Sequence, residues 1–548
     1  MTAKPNSAAG AESASWLPMI VIALAQIQMG INVNALPVSI GGIVKDFNTS
    51  PSSVSTALVV YSLAVAGFVI LGAKLGKLFG ARIVFQVGVI LHGLAMGAMA
   101  LSTSAAMMIQ IQGLAGLAAA ALVPTLVVMI ATHYKGKQQA QSLGLLGAAQ
   151  ASAGILVFLI VGVLGTFISW RFAFGLLVPL AACVFALSFR LKKVERQPGI
   201  KIDGVGAVLA AVAVILISLG FNNINAWGVL LAKPAAPFSL LGLSPAPIMI
   251  IVGIVLGQGF FAWSHKRQAA NKPPLLALEV LDSPQERAAT FSLLIIAALG
   301  PAVNFLIPLY IQIVQGRTSL QTSVAVIPYA LAIFAGTALI VRLFSRLTPR
   351  RIGRIGFIVV AVGLVMLAFT IRNDWGTPLV ILSLVVLGFG EGSLLTLVFN
   401  VLVSASPKKL AGDVGALRGT TNNLATGLGT AIAGALAVSL LSLIIVSSLV
   451  GNPTIPPELK AQVALDNIDF VSNNQLLETL RGTTATPVQV AEVVAINTAA
   501  RLQALKISFL VLAGLALLAI FPAGGLPKYV PGEVPSEEAQ DLAQPGKK

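Results

Sequence analysis

Charge is scarce in this sequence: only 10% of its 548 residues are Asp, Glu, Lys or Arg, against about a quarter in a soluble domain. With 57% hydrophobic residues and a mean hydropathy of +0.92, water is excluded as the main solvent. Cysteine is almost missing. Cys183 alone rules out a disulfide framework and a thiolate metal cluster, and the apolar run around it predicts a small buried hydrophobe. The three histidines, His92, His133 and His265, are scattered without metal-ligand spacing. No Gly-Lys-Ser/Thr phosphate loop occurs, which argues against direct driving by ATP. No metal, cofactor or enzymatic chemistry is therefore expected. The first fifteen residues are small and polar, without the basic-then-apolar layout of a cleaved signal peptide.

What is present is a series of apolar runs of roughly 18 residues or more, long enough to cross a bilayer as helices. They fall at 17–40, 54–73, 83–101, 106–132, 142–168, 172–189, 204–221, 246–263, 289–314, 321–341, 355–371, 377–404, 419–449 and 507–523. Fourteen spans put both termini on one side. Of the 35 Lys and Arg residues, 26 lie on that side, including Lys74, Lys77, Arg82, Lys192, Arg350 and Arg351. The positive-inside rule makes this face cytoplasmic, with both termini inside a plasma membrane, the inner membrane of a bacterium. The net charge of +16 is then a topology signal and an attraction to anionic lipid, not a footprint for nucleic acid.

An internal echo suggests the architecture. The loop Lys74-Leu75-Gly76-Lys77-Leu78-Phe79-Gly80-Ala81-Arg82 resembles Arg342-Leu343-Phe344-Ser345-Arg346-Leu347-Thr348-Pro349-Arg350, eight spans later. If each half holds six helices, two extra helices lie between them, and spans 7 and 8 fill that place. The expected organisation is an N-terminus 1–16, a six-helix bundle 17–190, two inserted helices with loops 191–288, and a second bundle 289–523, followed by a disordered tail 524–548. An outward loop, 451–506, interrupts the second bundle. Within it Thr486-Pro487-Val488-Gln489 predicts a capping box opening an external helix that runs towards span 14, as a lid or as a structural cap.

Ala35-Leu36-Pro37, the Gly116 to Pro124 stretch, Ser169-Trp170-Arg171-Phe172, and Leu309-Tyr310-Ile311-Gln312 with Gly316 and Pro328 follow one another in an order and spacing that resemble the Major Facilitator Superfamily, and within it the fourteen-span drug:proton antiporter branch. The resemblance implies an all-α polytopic membrane protein: two six-helix bundles plus two linker helices, rocking about a central cavity. Spans 1, 2, 4 and 5 and their equivalents 9, 10, 12 and 13 would line that cavity. Lys74, Lys77, Gly80 and Arg82 would form the cytoplasmic gating loop. Several family charges are replaced. Lys77 stands where an Asp is usual and Ser345 at its echo; Gln28 replaces an acid and Gln112 an Arg. Val157-Phe158 and Val161-Gly162 occupy the Gly-Pro and Gly-Gly positions of span 5.

One acid remains deep in a span. Glu391 lies about 14 residues, or ~21 Å, down span 12 at 1.5 Å per residue. A charge there costs about 3 kcal/mol on insertion scales, so Glu391 is the candidate for proton coupling. Its alternative is a structural acid bonded to neighbouring helices. Gly388, Gly390 and Gly392 flank it and permit close helix approach. The substrate-cavity candidates are Gln28 and Asn32, one turn apart on one helix face, with Gln112, Gln150, Asn304 and, at the outer boundary, Tyr310. His92 is expected to be neutral scaffold. Gln312 and Trp170 are expected to anchor the interface, and Arg418 to mark the cytoplasmic end of span 13.

The partners implied are the bilayer, a small amphipathic organic solute and, as co-substrate, the proton; a monomer suffices. Export coupled to protons leads the readings. An uncoupled facilitator or importer and a non-transporting sensor or scaffold stand behind it.

Overall fold

A computed structural model describes residues 15–528 except 135, 195, 197–198, 200–201, 277, 344–345, 374–377, 406–410, 451, 457–469 and 484. The N-terminus 1–16 and the tail 524–548 lie almost wholly outside this range, as does Ser345. Among the described residues the long elements are helices, thirteen of them long and apolar enough to cross a membrane. The helix Gly136–Phe167 takes the remaining place, that of span 5.

The first half comprises α1 (Leu17–Val38), α2 (Ile40–Phe47), α3 (Pro51–Phe79), α4 (Ala81–Ala100), α5 (Ala105–His133), α6 (Gly136–Phe167), α7 (Trp170–Gly175) and α8 (Leu177–Ser188). Span 6, read as one run, is thus two helices end to end. The inserted pair is α9 (Gly204–Trp227) and α10 (Pro245–Ala269). The second half holds α11 (Pro284–Pro308), which continues as a π-helical turn Leu309–Val314, then α12 (Ser319–Leu343), α13 (Pro349–Thr370), α14 (Pro378–Ala405) and α15 (Ala411–Val450). It ends with α16 (Asn473–Arg481), α17 (Pro487–Leu518) and α18 (Ile520–Ala523).

Local chemistry explains the boundaries. Proline fills the first helical position of α3, α10, α11, α13 and α17, where its missing N–H costs nothing. The predicted capping box is present: Thr486 N–H donates to Gln489 Oε1 at 2.9 Å and Gln489 N–H to Thr486 Oγ1 at 3.4 Å. The helix it opens does not stop at the membrane; external helix and span 14 are one continuous rod. Gly80 turns α3 directly into α4 with φ +93°, a left-handed conformation that an L side chain rarely adopts.

The same crossing is built twice. In the first half α3 meets α5 where Gly72 and Gly116 lie against the carbonyls of Ala120 and Tyr61. In the second half α12 meets α14 where Gly336, Gly388 and Gly392 lie against the carbonyls of Phe389, Tyr329 and Ile333. Glycine removes the side chain that would hold these backbones apart, which is how membrane helices gain packing without a hydrophobic driving force. The halves join along two seams, α3 against α15 and α6 against α12. The inserted α9 packs on α3 and α15 together. Its partner α10 is tied to it by Asp203, which accepts from Trp263 Nε1 at 3.0 Å and pairs with Arg267 at 3.4 Å.

Two placements correct the sequence reading. Cys183, expected to be buried, is exposed on the surface of α8, where lipid rather than protein would meet a small apolar side chain. Arg501, counted among the loop cations, is buried under the 451–506 loop at 1% exposure. It donates to the carbonyls of Ile313 at 3.2 Å and Val471 at 2.7 Å and to Asn473 Oδ1 at 2.7 Å, fastening the loop to the end of α11.

Candidate functional site

Glu391 sits on α14 at the glycine crossing and is 7% exposed. Tyr329 on α12 donates its hydroxyl to Glu391 Oε2. The other carboxylate oxygen rests against Gly300 of α11, where an added Cβ would come within 2.1 Å of it. The acid is therefore enclosed by three helices of the second half, and the bare backbone at Gly300 leaves it room. Neither ion pair found among the described residues involves it.

Tyr329 also faces a crevice between the halves, with room for about a single water. Asn34, Pro37 and Val38 line it from the first half, and Asn304, Val326 and Leu384 are among the residues lining it from the second. Tyr329 is thus the link between the enclosed acid and the space both halves share. Of the predicted cavity residues, Asn304 lines this crevice.

Gln28, Asn32 and Gln112 do not line it. All three are fully buried inside the first bundle. Asn32 and Gln112 exchange two hydrogen bonds, 3.1 Å and 3.0 Å, and Tyr61 adds a third contact to Asn32. Gln28 Nε2 lies 3.0 Å from His92 Nδ1. A buried amide without a partner costs about 1–3 kcal/mol, so amides spaced one turn apart on α1 find each other's neighbours on α4 and α5 before they face a cavity. His92, expected to be neutral scaffold, is buried against Gln28, and its Nε2 has no partner among the described residues. Gln150 lies on α6, but its side chain is outside the described residues.

The boundary residues are tertiary ties rather than lipid anchors. Tyr310 is 1% exposed and donates to the Arg372 carbonyl at 2.7 Å. Trp170, buried, donates to Asp46 at 2.8 Å, and the same carboxylate takes Arg171. Gln312 was not singled out for the site, yet it bridges the two halves. Its Nε2 donates to the Val38 carbonyl at 2.8 Å, and its Oε1 accepts from Gly41 N–H at 2.8 Å. At the neighbouring seam Leu320 N–H donates to Thr166 at 2.9 Å. These ties join the halves at the face opposite the basic loops. Gln312 lies on the π-helical turn Leu309–Val314, a form found frequently at functional sites.

At the basic face, Gly80 makes the α3–α4 joint and Arg82 donates to the Phe189 carbonyl at 2.8 Å, capping the end of α8 within its own half. Lys77 is exposed and Lys74 half-buried. Arg418 of α15 lies over the Phe399 ring of α14, 3.8 Å from its centroid.

The family model described as Major Facilitator Superfamily matches residues 20–430 and, again, 290–532. Among curated proteins the chain is similar to the tetracenomycin C resistance and export protein of Streptomyces glaucescens, 26% identical over 79% of this chain and 78% of that one. It is similar also to the puromycin resistance protein of Streptomyces alboniger, 25% identical over 79% of this chain and 85% of that one. The multidrug efflux pump LfrA of Mycolicibacterium smegmatis is 26% identical over 77% of this chain and 80% of its own length. Among solved structures, a bacterial homologue of the lysosomal transporter Spinster, inward-facing and unoccupied, superposes with a TM-score of 0.59, 13% identity, and coverage of 94% of this chain and 98% of that one. The peptide transporter PepTSo gives 0.59 at 13% identity, covering 94% and 97%. At such identities the structural likeness concerns the fold. The fold, the repeated crossing and the span of the sequence match agree that this chain is a multi-pass integral membrane transporter and belongs to the Major Facilitator Superfamily.

Proposed function

We propose that the protein exports a small amphipathic organic compound by alternating access and that Glu391 is the group that binds and releases the coupling proton. The reading rests on one observation: the acid deep in the second half is hydrogen-bonded to Tyr329, whose ring lines the crevice shared by both halves. A carboxylate needs its buried partner, and a carboxylic acid needs it less. Protonation therefore loosens Glu391 from Tyr329, and the crevice beside them can change shape with the proton. Relatives whose names speak of antibiotic resistance, export and multidrug efflux support the direction of transport. The basic face is the cytoplasmic one, with both termini inside, on the strength of the Lys and Arg distribution. In this orientation the ties at Gln312 and along the α6–α12 seam hold the halves together on the outer side. The protein works as a carrier, not as an enzyme, and one chain holds the whole crevice.

Purified protein in liposomes tests this. Glu391→Gln is expected to abolish transport driven by a pH gradient while the protein still inserts and elutes as a single species. Unchanged pH-driven transport in that variant rejects the proposal. A second reading, an uncoupled facilitator, is favoured by the neutral amides at Gln28 and Gln112, which are hydrogen-bonded inside the first bundle. Counterflow that persists at full rate after the proton gradient is collapsed selects it.

A further inference from the structure

We propose that Arg418 and Phe399 form the docking subsite for the anionic head of the transported solute, a carboxylate, sulfonate or phosphate carried on an apolar or aromatic body. The inference rests on the transport reading and names its substrate class. Arg418 is half-buried on α15, and its guanidinium stacks on the Phe399 ring at 3.8 Å, within the range of a cation–π contact. Stacking satisfies the face of the guanidinium and leaves its N–H edge unused. Among the described residues neither a carboxylate nor a hydrogen-bond acceptor takes that edge; the two ion pairs there belong to Arg171 and Arg267.

Three further observations set this cation apart from one that only marks a helix end. Gly419, beside it, faces the other half of the molecule: a side chain there would meet Val69 of α3 at 3.6 Å. This stretch of α15 therefore faces the seam and not lipid. Asn422, one turn along the same helix face, is half-buried, and its side-chain amide has no protein partner among the described residues. It adds a neutral donor beside the charged one. Phe399 lies eight residues from Glu391 on α14, about 12 Å towards the basic face. A solute entering from that face would meet Arg418 first and the acid afterwards.

Charge balance among the described side chains points the same way. Glu391 is committed to Tyr329, and the position of the family's span-1 acid is held by Gln28, so among the described residues the path offers an organic cation no free carboxylate and offers an anion a guanidinium without an ion-pair partner. The anion could be dissolved or could be a phospholipid headgroup of the adjoining leaflet, and the two are separable.

The test uses the full chain in phosphatidylcholine nanodiscs and two probes of one size and opposite charge, naphthalene-2-sulfonate and trimethyl(2-naphthyl)ammonium. The wild-type protein is expected to bind the sulfonate about tenfold tighter or more, the scale of one charge-assisted contact. Arg418→Gln removes the preference, Arg418→Lys restores part of it, and Asn422→Leu weakens sulfonate binding about threefold. Equal binding of the two probes by the wild type, or a preference that survives Arg418→Gln, overturns the proposal; the Lys variant guards against loss through misfolding. Repeating the titration with phosphatidylglycerol in the disc names the source. Competition that depends on Arg418 identifies the headgroup, and no competition identifies a dissolved anion; anion recognition stands in both cases. Binding is read without a gradient, so failure of this inference leaves the Glu391 transport assay intact, and the reverse.

Discussion

The two halves carry the same helix crossing and pair it with opposite chemistry. Beside the α3–α5 crossing, where α1 packs against α3, α4 and α5, the first half buries a set of polar groups: Asn32 with Gln112 and Tyr61, and Gln28 with His92, with Gln28 Oε1 and His92 Nε2 left without a partner among the described residues. Where α12 meets α14, the second half buries an acid, Glu391, held by one tyrosine and facing bare backbone at Gly300. The Asn32–Gln112 amide pair satisfies itself and has no proton to exchange. An acid with a single hydrogen-bond donor has one. One fold repeated twice thus holds a neutral amide pair in one half and a carboxylic acid in the other.

The comparison breaks most sharply at the acid: Glu391→Gln turns the second half neutral like the first, and pH-driven uptake into proteoliposomes is expected to fall to the level of empty vesicles. Next comes the crossing itself. At Gly392 an added Cβ lies 2.0 Å from the Ile333 carbonyl, so Gly392→Ala should force α12 and α14 apart at a cost of about 3 kcal/mol, read as a large drop in melting temperature in detergent. In the amide pair, Asn32→Leu strands Gln112 and should cost about 1–3 kcal/mol. The double variant Asn32→Leu/Gln112→Leu should cost less than the sum of the singles, because both orphaned partners are then gone. The same melting assay reads both, and additivity would mean the pair is not a unit. Smallest is the latch: Gln312→Leu removes two bonds that join the halves, about 1 kcal/mol net, enough to shift the population of the joined form about fivefold. Labelling of a cysteine placed at Asn34 from the face opposite the basic loops should rise accordingly.

Much of this was legible in the sequence. Run length gave the spans, and the echo of Lys74–Arg82 in Arg342–Arg350 pointed to two halves with a pair inserted between them. Glu391 stood out because an acid within an apolar run is expensive to keep. What sequence could not give is which way a buried polar side chain turns. Gln28 and Asn32 share one helix face, and that pattern fits a cavity wall and an interhelical clasp equally; only the positions of His92 and Gln112 on neighbouring helices decide it. Arg501 and Gln312 escaped for a related reason. Each acts on backbone carbonyls or amides of distant segments, and backbone partners leave no mark in the sequence of side chains. Arg418 read as a topology marker because charge counting treats every cation alike, whereas its stacking on Phe399 depends on how α14 and α15 meet.

The inserted helix α9 hydrogen-bonds to both halves: Asn222 donates to Thr56 of α3 at 3.1 Å, and Asn225 contacts the Ala435 carbonyl and Ser439 of α15. A strut bound on both banks of a seam has to release one bank whenever that seam widens. Any motion that parts α3 from α15 would therefore have to break one set of these contacts, so the inserted pair would favour the state in which that seam is shut.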